Sequence, residues 1–182
     1  MNFLKLAITS LVLGCLPSVV LGFQNPDEPM LSVLSQYEGV WDSEFSYINQ
    51  DGMGADEKFT GVVEGKWIVD GRFLDQTGKY QVDEASGLFI IKTVMSYHEK
   101  DQNFRFVYFM SSGDIQHSVG NWDPDKKTMT SRMKNDEDDD GSTTIVADFS
   151  TENVEQWSIE SRDGNGKITG RIAGTNKRRA TR

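Results

Sequence analysis

The chain has 182 residues and a formal net charge of −9 at pH 7. This length is enough for one domain with its own core, and 17 glycines, four prolines and 10% aromatic residues are typical of an all-β globular domain rather than a disordered chain. The negative charge disfavours a nucleic-acid partner, because phosphate backbones repel an acidic protein.

Residues 1–22 have the pattern of a signal peptide. Lys5 supplies the positive start, Leu6 to Leu13 form the apolar segment, and Val20 and Gly22 are small enough to precede a cleavage site. The polar residues that follow Gly22 disfavour a retained membrane span. We therefore expect a secreted or periplasmic protein.

Cleavage after Gly22 would leave residues 23–30 as a linker and residues 31–182 as the mature domain. An alternative is a membrane-anchored lipoprotein, because Cys15 ends a loose match to a lipobox and would be lipidated. Cys15 is the only cysteine, so a protein cleaved after Gly22 would contain no disulfide.

The stretch from Trp67 to Leu74 predicts a tight β-hairpin. Asp70 and Gly71 favour a type I′ turn, whose two central residues need positive φ, and this turn sets Trp67 opposite Leu74. One face of the two strands is then apolar and carries Phe59, Val63, Trp67, Val69, Leu74, Tyr80 and Val82. Three glycines lie between them, Gly61, Gly65 and Gly78, and they either bend the strands or leave space for a ligand.

Period-two alternation predicts further hairpins along the chain. Setting Tyr97 opposite Phe104 gives a second dry face, on which Met95 lies opposite Phe106 and Thr93 opposite Tyr108. Ile115–Trp122 and Thr128–Lys134 form a third pair whose register stays open, and with it the orientation of His117.

The last hairpin is predicted to pair Arg162 with Lys167, which sets Trp157 opposite Ile172. The chain then has about ten short strands and no helical pattern long enough for a βαβ unit. Since every clear pair has one apolar face, we expect a single antiparallel up-and-down β-barrel, preceded by a short helical turn near Met30 to Leu34.

Gly39 and Trp41 on the first strand resemble the opening signature of lipocalin-like (calycin) barrels. In that superfamily an arginine near the chain end packs across the tryptophan, which implies Arg178, with Arg179 as the alternative. Two further stretches, Trp67 to Leu74 with Asp70 and Gly71, and Gly120 to Asp123, resemble a bacterial family of uncharacterised, mostly secreted proteins with such a barrel. That family is a domain of unknown function, so the resemblance implies the fold and no defined activity.

The inward aromatic and methionine side chains are the candidate lining of a ligand cavity. A barrel of ten strands is wide enough to leave space that side chains do not fill, although the same residues could pack as a solid core. The candidates are Phe59, Trp67, Tyr80, Met95, Tyr97, Phe104, Phe106, Tyr108, Met129, Met133 and Trp157. We expect a small, mainly apolar ligand.

Other chemistry has weaker support in the sequence. Asp136, Asp138 and Asp140 resemble the first half of a calcium loop, but position twelve is Ala147 instead of Glu, which favours an acidic hairpin loop without metal. His98 and His117 lack a metal-ligand or haem-ligand setting, so we expect no cofactor. The alternatives to ligand binding are an enzyme that uses a pocket tyrosine, histidine or arginine, and a structural module with a filled barrel.

Overall fold

The computed structural model describes residues 28–48, 58–83, 87–134 and 141–180. The chain begins with helix α1 (Glu28–Leu34) and a 3₁₀ turn, η1 (Ser35–Tyr37). Ten strands follow: β1 (Gly39–Tyr47), β2 (Lys58–Ile68), β3 (Phe73–Asp83), β4 (Gly87–His98), β5 (Asn103–Met110), β6 (Ile115–Asp123), β7 (Thr128–Lys134), β8 (Ser142–Asp148), β9 (Val154–Arg162) and β10 (Ile168–Arg178).

The strands form a closed antiparallel barrel. Each strand pairs with the next one in sequence, and β1 pairs with β10 to close the sheet. The expected up-and-down barrel of ten strands is therefore confirmed. Closure leaves these strands without an open sheet edge. Among the described residues, no helix is long and apolar enough to cross a membrane.

The registers predicted for two hairpins are confirmed. Trp67 pairs with Leu74, and Asp70 and Gly71 have φ values of 54° and 77°, as a type I′ turn requires. Tyr97 pairs with Phe104, and the pairs between β4 and β5 continue as expected along the two strands.

Val69 departs from its predicted place on the apolar face. It lies in the turn with φ of 50°, and its side chain is 62% exposed. The positive φ interrupts the alternation of the strand, because side chains alternate between faces only in extended backbone. Val82, also predicted on that face, has a side chain outside the described part of the chain.

The register predicted for the last hairpin is wrong by two residues, since Trp157 pairs with Gly174 instead of Ile172. The backbone N–H of Asp163 donates to the carbonyl of Lys167, which closes the loop one position later than expected. A β-bulge between Ile168 and Gly170 adds the second shift. From Gly170 onward the two shifts together leave the side chains of β10 on their predicted faces, because the side-chain period is two.

Two apolar clusters pack inside the barrel. The helix-end cluster packs α1 and η1 against the strands and contains Val33, Leu34, Tyr37, Leu74, Met95, Phe104, Phe106, Met129, Ala147 and Phe149. The Trp41 cluster consists of Trp41, Val63 and Tyr80, with Phe45, Phe89 and Ile91 packed against them. Burial of these side chains is the main term that stabilises the closed sheet.

Arg178 joins the end of the chain to its beginning. Its guanidinium lies 4.1 Å from the ring centroid of Trp41 and donates hydrogen bonds to the carbonyls of Glu38 and, at 2.8 Å, Gln36. Arg179 points outward and pairs with Asp42. Of the two arginines that the resemblance implied, Arg178 is the one packed across the tryptophan.

Candidate functional site

A cavity of about 320 Å³ lies inside the barrel, between the two apolar clusters. At one end, its wall is formed by Tyr37 of η1 and by Met95 near η1. At the other end, it is formed by Met110 of β5 and Gln116 of β6, which lie where these strands are farthest from η1. Apolar side chains provide most of the wall, and hydroxyl and amide groups of Gln76, Thr93, Gln116, Ser131, Thr143, Ser161 and Asn176 are set among them. Such a mixture of apolar surface and a few polar groups is typical of small-molecule sites.

Seven of the eleven predicted lining residues face this cavity: Tyr80, Met95, Phe106, Tyr108, Met129, Met133 and Trp157. The other four lie elsewhere in the interior. Phe59 stacks on Phe45 with ring centroids 4.9 Å apart, and Trp67, Tyr97 and Phe104 belong to or pack against the helix-end cluster. The sequence pattern thus predicted which side chains point into the barrel. It did not separate the side chains that line the cavity from those that pack in the core.

The inward glycines make room for other groups of the protein. A β-carbon at Gly78 would lie 2.7 Å from the ring of Tyr80, and one at Gly61 would overlap the backbone of Lys79 and the same ring. A β-carbon at Gly65 would overlap the carbonyl oxygen of Tyr37 in η1. Aromatic rings that cover strand glycines are a known feature of curved sheets. The space above these three glycines is therefore occupied by protein atoms.

Glu155 is the functional candidate that the sequence analysis missed. Its side chain is 6% exposed and lines the cavity, and its Oε2 accepts a hydrogen bond of 2.7 Å from Nδ2 of Asn176. Burial raises the pKa of Glu155 to about 7, although the hydrogen bond from Asn176 and the charge of Arg178 act in the opposite direction. The alternation of β9 could have located it, because Glu155 shares the inward positions of Trp157 and Ile159.

Three tyrosines lie within electrostatic range of Glu155. Burial raises the pKa of Tyr80 to about 12 and raises the pKa values of Tyr37 and Tyr108, and the Glu155 charge adds to each effect. The Tyr108 hydroxyl lies 3.2 Å from Oγ of Ser118. At neutral pH all three phenols are therefore protonated and able to donate hydrogen bonds.

Neither histidine faces the cavity. His117 is exposed on the outer side of β6, opposite Val107. Nδ1 of His98 lies 3.1 Å from the carboxylate of Asp101 at the turn between β4 and β5. Arg178 also lies outside the cavity lining. In the described part of the chain, tyrosines are therefore the only residues lining the cavity among the tyrosines, histidines and arginines that we considered for an enzyme.

The candidate calcium loop at Asp136, Asp138 and Asp140 lies outside the described residues. Within the described ranges, no group of three histidine, cysteine or acidic side chains could hold a metal ion. Two larger grooves, of about 460 and 730 Å³, run along the outside of the barrel, and strand residues with exposed charged side chains such as Glu44 and Lys79 contribute to their walls. We take the interior cavity as the candidate site, because it combines apolar walls with a buried carboxyl group.

A family model described as "Protein of unknown function (DUF1579)" matches residues 28–173. The chain belongs to this family. The DUF1579 match covers α1, η1, β1 to β9 and the first part of β10.

Among solved structures, the crystal structure of Rv2717c from M. tuberculosis matches this DUF1579 chain with a TM-score of 0.57 and 13% identity, covering 84% of this chain and 98% of the other. At that identity the likeness shows a shared fold. A redesigned β-barrel has a TM-score of 0.39 and 11% identity, covering 82% of this chain and 95% of its own. No curated protein matches the sequence.

Proposed function

We propose that this DUF1579 barrel binds a small, mainly apolar molecule in its interior cavity. The observation that carries the proposal is the unfilled volume of about 320 Å³ between two packed clusters. It lies at the lower end of the range of about 300–1,000 Å³ found for small-molecule sites. Protein interiors are otherwise close-packed, so a void of this size calls for an explanation.

The composition of the wall supports the same function. Four methionines line the cavity, Met95, Met110, Met129 and Met133, and unbranched thioether side chains can adapt to ligands of different shape. Phe106 and Trp157 offer flat apolar surfaces, while neutral phenols such as Tyr108 can donate hydrogen bonds. If residues 1–22 act as the predicted signal peptide, the ligand is a molecule that the protein meets outside the cytoplasm.

A pair of tryptophan substitutions on β8 tests the proposal. Ile145 lines the cavity, whereas its neighbour Val146 faces the outer groove. We expect Ile145→Trp to weaken binding of the neutral fluorophore N-phenyl-1-naphthylamine at least tenfold, because the larger side chain occupies the cavity. Val146→Trp is the matched control and should bind as the unaltered protein does. Fluorescence titration gives both affinities.

Native mass spectrometry of protein purified from its own host provides a second test. We expect a co-purifying small molecule whose mass peak disappears in Ile145→Trp and persists in Val146→Trp. Equal binding of the fluorophore by both variants would contradict an interior site. A protein that neither carries a ligand nor binds the fluorophore would contradict the proposed function as a whole.

A further inference from the structure

The buried carboxyl group of Glu155 has no role in binding a purely apolar molecule. Within the described residues, Asn176 is its one hydrogen-bond donor, and no lysine, arginine or histidine lies within salt-bridge distance. Burying a carboxylate without a cation is unfavourable, and the cost falls when an opposite charge pairs with it in good geometry. A carboxyl group that is buried in a cavity without a neighbouring cation therefore indicates that the ligand supplies the positive charge.

Asn176 holds the carboxyl group in one orientation. Its Oδ1 lies 3.4 Å from the indole Nε1 of Trp157, and its Nδ2 donates to Oε2 of Glu155 at 2.7 Å. The indole N–H is a donor only, and the oxygen is the one acceptor of an amide group, so this contact fixes which end of the Asn176 amide faces Glu155. The second carboxyl oxygen, Oε1, has no hydrogen-bond partner among the described residues.

The surroundings of Glu155 fit a single positive charge. Cavity-lining aromatic rings include Tyr80, Phe106 and Trp157, whose faces attract cations. One carboxylate suits a monovalent organic cation better than a divalent metal ion, which takes several oxygen ligands.

We propose that Glu155 and Asn176 form the polar anchor of the cavity, and that the ligand is a small protonated amine with an apolar body. This inference rests on the proposed function and specifies its ligand class. The ammonium group would pair with the carboxylate of Glu155, and the apolar body would lie against the methionines and aromatic rings of the wall.

Proton linkage gives this arrangement a measurable signature. The titratable and charged groups that act on Glu155 are Tyr37 from η1, Tyr80 from β3, Tyr108 from β5 and Arg178 from β10. Burial raises the pKa of Glu155 to about 7, and a bound ammonium group would lower it again. Binding of an amine at pH 7 should therefore release about half a proton, whereas binding of a neutral ligand should release none.

The test compares 4-phenylbutylamine with 4-phenyl-1-butanol, which replaces the ammonium group with a neutral hydroxyl. At pH 8, competition with N-phenyl-1-naphthylamine should show that the purified protein binds the amine at least tenfold more tightly than the alcohol. Between pH 7 and pH 5 the affinity for the amine should fall about tenfold per pH unit, because protonated Glu155 offers no charge. Titration calorimetry in buffers of different ionisation enthalpy measures the proton release.

Glu155→Gln should abolish the preference for the amine over the alcohol. The matched control is Glu160→Gln on the same strand, since Glu160 pairs with Arg162 and Arg171 on the outer face. It should retain the preference. The proton-release measurement needs no variant, so it tests the inference even if a substitution disturbs folding.

An alcohol that binds as tightly as the amine, or amine binding without proton release, would overturn the inference and leave apolar ligand binding intact. Failure of both compounds to displace the fluorophore from a protein that binds it would also overturn the amine assignment alone. Failure of the fluorophore itself to bind would count against the proposed function.

Discussion

Val69 carries the least favourable backbone conformation described in the β2–β3 turn. Its φ of 50° lies in the left-handed region, which a β-branched side chain rarely adopts, whereas Asp70 and Gly71 tolerate their φ values of 54° and 77°. The side chain is 62% exposed, so little packing offsets the strain. Conformations of this kind cost about 1–3 kcal/mol.

We therefore expect Val69→Asn to stabilise the protein by about 1 kcal/mol, because asparagine adopts positive φ more readily than valine. Val119→Asn is the matched control. Val119 is 47% exposed in β6, and it is not among the described residues with positive φ, so that substitution should be neutral or destabilising. Urea unfolding monitored by tryptophan fluorescence gives both values. A loss of stability in Val69→Asn would show that the valine side chain has a favourable contact in the turn.

At the same scale, Glu155 shows why inward-facing residues are predictable while their chemistry is not. Alternation along β9 places positions 155, 157 and 159 on one face, and this face is confirmed by the pairs with β8 and β10. Whether an inward glutamate reaches solvent, meets a cation or stays buried depends on side chains from distant strands. Asn176, its hydrogen-bond partner, follows it by 21 positions in the sequence.

At the scale of the elements, the position of η1 depends on a single small residue, Gly65. The carbonyl oxygen of Tyr37 lies where a β-carbon at Gly65 would be, and the Tyr37 side chain is buried against Phe149 with ring centroids 4.9 Å apart. Arg178 holds the same segment through hydrogen bonds to the carbonyls of Gln36 and Glu38. Closure at this end therefore combines a close backbone approach with hydrogen bonds from the end of β10.

We expect Gly65→Ala to destabilise the protein by about 2 kcal/mol, since η1 must move away from β2 to admit one methyl group. Gly170→Ala serves as the control, because nothing lies within 4 Å of a β-carbon at that position and no positive φ is found there. Alanine in that strand should be neutral or stabilising by up to about 1 kcal/mol. Thermal and urea unfolding provide the comparison, and equal stability of the two variants would mean that η1 does not rest on Gly65.

Hairpins with a dominant local signal could be predicted with their registers, as Asp70-Gly71 demonstrates. The last hairpin could not, because its loop closes through the Asp163 side chain, which accepts from the backbone N–H groups of Asn165 and Lys167. The β-bulge near Gly170 likewise has no signal other than a glycine. A turn or a β-bulge can shift the register of a strand pair by one residue, and the alternation of apolar and polar residues in the sequence does not reveal such a shift.

For the whole molecule, the closed barrel follows from two regularities of the sequence. Each clear strand pair has one apolar face, and successive hairpins leave β1 and β10 to pair with each other. The cavity does not follow from those regularities, since its volume is the small difference between the space inside ten strands and the side chains that fill it. Phe59 stacks on Phe45 and Phe104 packs in the helix-end cluster, whereas Phe106 belongs to that cluster and also lines the cavity. All three have the same inward alternation.

The pH dependence of the global stability reflects two opposing sets of carboxyl groups. Hydrogen bonds from the backbone amides of Lys126 and Ser150 hold the pKa values of Asp123 and Asp148 below their ordinary range. The stability from these two groups is present above their unfolded pKa values and is lost as the pH falls through their folded ones. They therefore make the protein less stable in acid.

Glu155 acts in the other direction, because its pKa rises from the ordinary 4.5 to about 7 in the folded protein. The unfolded chain loses this proton first, so stability falls as the pH rises from about 4.5 to about 7, by roughly 3 kcal/mol in total. We expect the melting temperature to be highest near pH 5. Glu155→Gln should remove the decline between pH 5 and pH 7.5, so its melting temperature should rise relative to that of the unaltered protein across this interval. The melting temperature of Glu160→Gln should change with pH as that of the unaltered protein does. Calorimetry gives the melting temperature of each protein across this pH range. If the melting temperatures of the unaltered protein and Glu155→Gln changed in parallel with pH, Glu155 would not titrate in this range.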